Sequence, residues 1–265
     1  MIVLLGASAM AQESAGGRSA PVPSALPACV GEAESAVEVI HEPDDNLFRS
    51  ADGTRYVATD LRDEVDLGPP RVREAETSDR AGFAGRAVPL GPPDRWNRVP
   101  AWIVVDRDGK GRLWQAERFE QGLAVFAPAR AQAACADALR RAEGRARRAG
   151  VGVWRNKGAG LAFSAVRPKS FQTAAGRYVI VRGRIVSLGK TDSTRYLNFG
   201  RYWKTDLTGT LKTSDEEEFD TVLGRSGRSL DDLAGRFVEL RGTVEDRDGP
   251  HIALRHPEQL VVLDD

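Results

Sequence analysis

A strongly basic stretch is the first part of this sequence whose residue types suggest chemistry. Residues 130–148 have Leu139, Ala142 and Ala146 at helical spacing, which predicts a helix with one apolar face. Five arginines occupy the other faces of that helix: Arg140, Arg141, Arg145, Arg147 and Arg148. One interpretation is a phosphate-binding face, because guanidinium groups neutralise phosphates. The other is a solvated helix face near an acidic neighbour. The spacing alone leaves both open.

A second group of residues combines aromatic rings with cations near position 200. Its rings are Tyr196, Phe199, Tyr202 and Trp203, and its cations are Arg195, Arg201 and Lys204. Aromatic platforms beside basic grooves bind single-stranded nucleic acid through base stacking. The alternative is that the alternating rings face a core and the charges are ordinary surface. From Phe171 onward there are 14 Lys and Arg against 16 Asp and Glu, which argues against a nucleic-acid groove.

The cysteines and histidines restrict the possible sites. Cys29 and Cys135 could form one disulfide in an oxidising compartment, or they could be two unrelated buried thiols. His41, His251 and His256 are scattered, and the sequence has no C-x-x-C motif. This arrangement argues against a zinc site.

Charge and the N-terminus bear on location. The 265 residues include 38 basic and 38 acidic side chains, so the formal net charge is zero and a nucleic-acid partner would need a local basic face. No apolar run approaches the roughly 20 residues of a membrane-spanning helix. Residues 1–5 are apolar, and Ala9-Met10-Ala11 fits a small-x-small cleavage pattern. We therefore expect a signal peptide at 1–11 and a periplasmic or secreted protein; a disordered N-terminus is the alternative.

The pattern of short strands predicts a mainly β, α+β chain with two small barrels. Residues 12–28 read as a flexible leader. We predict strands at 36–41, 47–49, 54–61, 86–90 and 101–105, a helix at 113–121, a strand at 123–126, and the basic helix ending at Gly150. This order fits an oligonucleotide-binding (OB) type of barrel with capping helices. We place this domain at 29–156 and a linker at 157–172.

A second all-β pattern follows, at 173–265. Residues 178–188 alternate as one long strand with a glycine bend at Gly183. Further strands are predicted at 195–199, 206–211, 237–244 and 251–254. A short helix begins at Ser229, a suitable N-cap, and ends at Gly235. These features describe a second OB-like barrel.

Three motifs carry a resemblance to a known family. Residues 94–98 read D-R-W-N-R, residues 120–125 read E-Q-G-L-A-V, and residues 143–154 end in G-V-W. They resemble the D-x-Y-G-R turn, the helix-to-strand G-L-A step and the closing G-x-W helix of the thermonuclease (staphylococcal nuclease-like, SNase-like) family. The match covers about 29–156 and is best in the second half. The C-terminal barrel is similar to the OB-like module behind degenerate thermonuclease domains, on 196–203 and 240–244.

The resemblance implies a calcium-dependent nuclease site that this chain retains only in part. In the family, two acids hold calcium, a glutamate is the general base and two arginines neutralise the phosphate. Arg98 matches one family arginine, and Glu64 stands near the position of the base. Asn46 and Arg62 stand where metal-binding aspartates belong, and Val57 replaces the first arginine. An amide is a weak ligand for a hard cation, and an arginine repels it.

Three functions remain open from the sequence. The first is an exported pseudoenzyme that serves as a binding or scaffold module for a protein or envelope partner, with no cofactor expected. The second is an active Ca²⁺-dependent nuclease whose metal site is rebuilt from Asp44, Asp45, Asp60 and Asp63. The third is a non-catalytic binder of single-stranded nucleic acid. Its contact residues would be Tyr196, Phe199, Arg201 and Trp203.

Overall fold

The computed structural model describes residues 25–31, 35–42, 46–63, 82–158, 161–202, 204–246 and 248–263. The predicted signal peptide lies outside these residues. The predicted flexible leader at 12–28 is wrong at its end, because α1 (Leu26–Cys29) is helical. Pro27 suits the first turn of a helix, and Leu26 packs against the N-terminal core. Apolar contact therefore orders the chain before the predicted boundary.

The N-terminal half contains a closed five-stranded barrel. The five barrel strands are β1 (Val37–His41), β2 (Leu47–Ser50), β3 (Arg55–Ala58), β5 (Ala84–Pro89) and β6 (Arg98–Arg107). They pair in the order β3-β2-β1-β5-β6, and a parallel pairing of β3 with β6 closes the barrel. β7 (Lys110–Leu113) extends β6 as a hairpin. The fold class predicted for the chain, α+β with an OB-like barrel, is thereby confirmed.

One predicted strand of this barrel is divided in two. Residues 54–61 were expected to be continuous, but β3 ends at Ala58 and β4 (Leu61–Asp63) begins after a turn. Asp60 causes the break, since its φ of 62° is left-handed. Beyond this turn β4 leaves the barrel and pairs antiparallel with β8 (Ala124–Phe126).

Two helices cap the barrel and confirm their predictions. α2 (Trp114–Glu120) leads into β8, and α3 (Ala133–Ala149) is the basic helix. Leu139, Ala142 and Ala146 are buried on α3, and Gly150 ends it with a φ of 65°. The disulfide is also confirmed: Cys29 and Cys135 are bonded across 106 residues and attach α1 to α3.

The C-terminal half forms an eight-stranded sheet with OB-like order. The strands are β9 (Ala162–Ser164), β10 (Tyr178–Arg184), β11 (Ser187–Lys190), β12 (Thr194–Asn198), β13 (Thr208–Lys212), β14 (Phe237–Asp246), β15 (Pro250–Ala253) and β16 (Leu260–Val262). The sheet follows the path β11-β12-β13-β15-β14-β10-β9, with β16 on β14 and with β13 and β15 parallel. β10 and β11 are consecutive in the chain, and they pair with β14 and β12 respectively, as the two halves of the first strand do in an OB-like barrel.

Three details of this half differ from prediction. The long strand at 178–188 is interrupted between β10 and β11, and Gly183 serves a close approach instead of a bend. A Cβ there would lie 2.4 Å from the Cβ of Ala165. The predicted linker at 157–172 contains β9, which pairs parallel with β10. α4 (Glu216–Gly224) was not predicted, although it buries Phe219 and Leu223. The capping box at Ser229 confirms the predicted helix start.

The two barrels share an apolar contact. A cluster of buried side chains combines Val125, Ala146 and Trp154 of the N-terminal half with Leu161, Tyr178 and Ile180 of the C-terminal half. Each barrel also has its own larger core. Of the helices in the described ranges, none has the length and apolar character needed to cross a membrane.

Candidate functional site

Arg98 is held at the end of a tight turn by Asp94. The Oδ1 atom of Asp94 accepts the backbone N–H groups of Trp96 and Arg98, at 2.9 and 3.0 Å. Its Oδ2 atom accepts two bonds from the Arg98 guanidinium, at 2.9 and 2.8 Å. The hydrogen bond from the Arg98 side chain is the main cause that lowers the pKa of Asp94. This explains the aspartate four residues before the arginine: one carboxylate both forms the turn and neutralises Arg98.

The same turn presents an aromatic ring surrounded by cations. Trp96 is 53% exposed, and the guanidinium carbons of Arg95 and Arg98 lie 3.9 and 4.7 Å from its ring centroid. Arg55 donates to the Trp96 carbonyl at 2.8 Å, and its Cα is the register partner of Arg98 where β3 meets β6. We call Arg55, Arg95, Trp96 and Arg98 the Trp96 surface. Hydrogen bonds and ring contacts within the chain hold this surface together. Of its four residues, only Arg98 was predicted from the sequence as a site residue.

Asp60 and Asp63, two of the four aspartates considered for a rebuilt metal site, already have protein partners. Asp60 is buried and accepts the backbone N–H groups of Ala129, Arg130 and Ala131 at 2.8–3.0 Å. Asp63 pairs with Arg118 at 3.1 Å. Among the residues that the structure describes, no three His, Cys, Asp or Glu side chains form a group that could hold a metal ion. Asp60 thus acts as an anchor for residues 129–131.

The structure describes some of the remaining residues of the proposed nuclease site. Asp44, Asp45 and Glu64 lie outside the described residues. Asn46 is described, and its carbonyl accepts the N–H of Ala58 at 2.9 Å. Arg62 is exposed on β4, opposite Val125 of β8. A rearranged metal site at Asp44 and Asp45 therefore stays a prediction from the sequence.

One ring of the predicted aromatic platform of the C-terminal barrel is buried. Phe199 is 7% exposed and packs in the core, so its ring does not face a ligand. Tyr196 is half-buried, and Arg201 is exposed. Tyr202 is 74% exposed, and Asp206 accepts its backbone N–H at 2.9 Å. Trp203 lies outside the described residues.

The arginines of α3 face acidic residues of neighbouring elements. Arg140 reaches Glu258 at 2.5 Å, Arg147 reaches Glu239 at 3.3 Å, and Arg145 pairs with Glu120. Two of these three acids belong to the C-terminal barrel. The interpretation as a helix face near an acidic neighbour therefore fits these three: the neighbour of Arg140 and Arg147 is the second barrel, and that of Arg145 is α2. Arg141 and Arg148 are exposed.

Sequence reasoning missed the charged groups that join the barrels. Arg241 on β14 pairs with Glu143 on α3 and with Glu239 two residues before it. All three side chains are almost fully buried. One pattern could have indicated them: Glu239 and Arg241 alternate with apolar residues within a strand, on a face that an isolated barrel would expose to water.

Comparisons with known proteins add little beyond the fold. No protein-family model matches the chain. No curated protein sequence matches it either. Among solved structures, an OBody, AM1L10, bound to hen egg-white lysozyme is 18% identical, covers 35% of this chain and 84% of its own, and has a TM-score of 0.25. A chain of the S. pombe Stn1–Ten1 complex is 13% identical, covers 33% of this chain with 59% of its own length, and has a TM-score of 0.24. At these scores neither resemblance carries functional information for this chain.

Proposed function

We propose that this chain is an exported, non-catalytic binding or scaffold protein built on a degenerate thermonuclease-like barrel with an OB-like barrel behind it. One observation carries the proposal. The carboxylates described around the family motif are each committed to a structural role. Asp94 neutralises Arg98, Asp60 accepts three backbone amides, and Asp63 pairs with Arg118. A hydrolytic metal site needs carboxylate oxygens that remain available to the cation.

The Trp96 surface supplies the binding side of the proposal. Tryptophan and arginine are the residue types most enriched among energetically important interface contacts. Trp96 is exposed yet held in place by the turn and by two stacked guanidinium groups, so little entropy is lost when a partner covers it. The chain has no net charge to attract nucleic acid, and Asp94 neutralises one of the three arginines of this surface, so the partner that we propose is a protein or envelope component.

The disulfide supports the location. Disulfides form and persist in oxidising compartments such as the periplasm or the extracellular space. The bond between Cys29 and Cys135 is therefore in keeping with export. No cofactor is part of the proposal, and calcium would belong only to the nuclease alternative.

A nuclease assay tests the non-catalytic assignment. The protein is incubated with fluorogenic DNA and RNA in calcium and, separately, in excess chelator. We expect no difference between the two conditions. Chelator-sensitive cleavage that is lost in Arg98→Ala but retained in Arg141→Ala would overturn the proposal in favour of the calcium-dependent nuclease.

A binding assay separates the third function. Fluorescence anisotropy with single-stranded oligonucleotides at low salt is expected to show no binding that responds to the predicted platform. Salt-dependent binding that weakens in Trp203→Ala would instead indicate a single-strand binder. For the binding role itself, capture from an envelope extract should recover a partner with the native chain that Trp96→Ala loses. Equal recovery by both would exclude the Trp96 surface.

A further inference from the structure

A cleft of about 580 Å³ lies where the two barrels meet, and it shares no lining residue with the Trp96 surface. α3 contributes Arg147, and the other lining residues lie on or near β9, β10 and the turn of 3-10 helix at Pro168–Thr173. Four arginines line it: Arg147, Arg167, Arg177 and Arg182. Three hydroxyl side chains line it as well: Ser164, Ser170 and Thr173. Guanidinium forks and hydroxyl groups together are the donors that bind oxyanions.

The arginines of this cleft share their carboxylate partners. Arg147 and Arg182 both contact the Oε2 atom of Glu239, at 3.3 and 2.7 Å. Arg241 contacts the Oε1 atom of Glu239 at 2.7 Å and also pairs with Glu143 at 2.6 Å. Three guanidinium groups thus share two carboxylates. Within this group of five side chains the positive charges therefore exceed the negative ones by one.

Arg147 lies between an aromatic ring and a second cation. Its guanidinium carbon lies 4.8 Å from the ring centroid of Trp154, and its side chain is 28% exposed. Burial first, and then the neighbouring Arg182, lower the pKa of Arg147. An anion in the cleft would offset the repulsion between these two cations, because its charge is of opposite sign.

The cleft also has an apolar side. Phe163 and the buried Ile180 line the cleft. The Phe163 ring stacks on Phe171 with the ring centroids 5.4 Å apart. The volume falls within the range of small-molecule sites, and such sites combine an apolar wall with a few convergent polar groups. A ligand with a compact organic part and charged groups at one end matches both sides.

We propose that this cleft binds a small organic molecule carrying at least two oxyanion groups, as phosphate or sulfate esters. Arg147 and Arg182 hold one group, and Arg167 and Arg177 hold another. The organic part rests on Phe163. This site goes beyond the proposed binding role of the Trp96 surface and does not depend on it.

Isothermal titration of the intact, disulfide-bonded chain tests the site. The probes are inorganic pyrophosphate and a disulfated disaccharide, with monovalent acetate as the reference anion. We expect one molecule of pyrophosphate or of the disulfated sugar to bind per chain, and acetate not to bind. The more tightly bound probe identifies phosphate or sulfate as the recognised group.

Two charge-matched double variants make the test specific. Arg167→Gln with Arg177→Gln removes two of the four cations that line the cleft, and binding should weaken at least about tenfold, since each charge-assisted bond to an oxyanion is strong. Arg141→Gln with Arg148→Gln removes two exposed cations from α3 outside the cleft, and binding should change less than about twofold. Thermal melting confirms that both variants fold. No binding of either probe at millimolar concentration, or equal weakening in both variants, would overturn the proposal.

Discussion

Arg241 on β14 and Glu143 on α3 form a buried, two-point ion pair between the barrels. The Nη2–Oε2 distance is 2.6 Å, the Nη1–Oε1 distance is 3.0 Å, and neither side chain is more than 4% exposed. Phe126 completes the network: its N–H donates to Glu143 at 2.9 Å, and its carbonyl accepts from Arg241 at 3.0 Å. Such directional bonds allow one orientation of the two barrels and disfavour sliding between them.

The first prediction concerns this ion pair. Arg241→Met should lower the free energy of unfolding by about 3–5 kcal/mol, because it leaves Glu143 buried without its charge partner. Chemical denaturation followed by circular dichroism measures the loss. The double variant Arg241→Met with Glu143→Leu should recover much of it, since no carboxylate is then left at position 143 without a charge partner and Glu239 keeps its pairs with Arg147 and Arg182. A surface pair supplies the control: Arg112→Ala, which faces Glu117 at 3.4 Å and is half exposed, should change stability by less than about 1 kcal/mol. A loss from Arg241→Met no larger than that of the control would contradict this account.

The disulfide gives a second prediction. Cys29→Ser with Cys135→Ser, or reduction of the native chain, should lower the free energy of unfolding by about 2–4 kcal/mol, because the bond closes a loop of 106 residues. Denaturation with and without reductant measures the change in the native chain. The double serine variant should not respond to reductant, which makes it the control. If reductant destabilises both proteins equally, the effect does not come from this bond.

The sequence predicted the elements of the N-terminal barrel well where the pattern is local. Helical spacing located α3, and Gly150 ended it as a glycine stop should. The G-L-A and G-x-W motifs were recognised separately, yet their glycines touch in the structure. A Cβ on Gly152 would lie 2.0 Å from the carbonyl oxygen of Gly122. Spacing along a chain does not reveal which distant backbone segments come into contact. The close approach that requires glycine at both positions could therefore not be predicted from the sequence.

The candidate site shows the same limit more strongly. Arg98 and Asp94 lie four residues apart, and their turn was recognised as a motif. The sequence suggested Asp60 as a possible metal ligand. In the structure its carboxylate instead accepts hydrogen bonds from the backbone amides of residues 129–131, about 70 positions later in the chain. The pairing of Arg241 with Glu143 spans 98 residues. Partners at such separation depend on how the two barrels pack, which no local pattern encodes.

Asp60 therefore provides a third prediction. Asp60→Ala should lower the free energy of unfolding by about 2–4 kcal/mol, because it leaves buried amides without an acceptor and puts alanine at a φ of 62°. Asp60→Asn should cost less, since asparagine tolerates this backbone conformation and keeps one acceptor oxygen. Denaturation curves in calcium and in chelator measure both variants. If Asp60 were a metal ligand, calcium would stabilise the native chain and would not stabilise the Asp60→Asn variant. We expect calcium to have no effect on either protein.

The last prediction is a loss of stability in acid that depends on Glu239. Burial raises the pKa of Glu239, but the adjacent Arg241 and Arg182 lower it more, to about 2 against an ordinary value of 4.5. Because the folded pKa is the lower one, this carboxylate stabilises the fold above pH 4.5, and the contribution is lost as the pH falls from 4.5 towards 2. The contribution is on the order of 3 kcal/mol. Glu239→Gln should therefore be less stable than the native chain at pH 7, with a shallower decline between pH 5 and 2. Glu217→Gln on the exposed face of α4 removes a carboxylate without such partners and should follow the native curve. If the Glu239→Gln curve runs parallel to the native one through this range, Glu239 does not carry the acid sensitivity, and the shared carboxylate is not what holds Arg182 and Arg241 together.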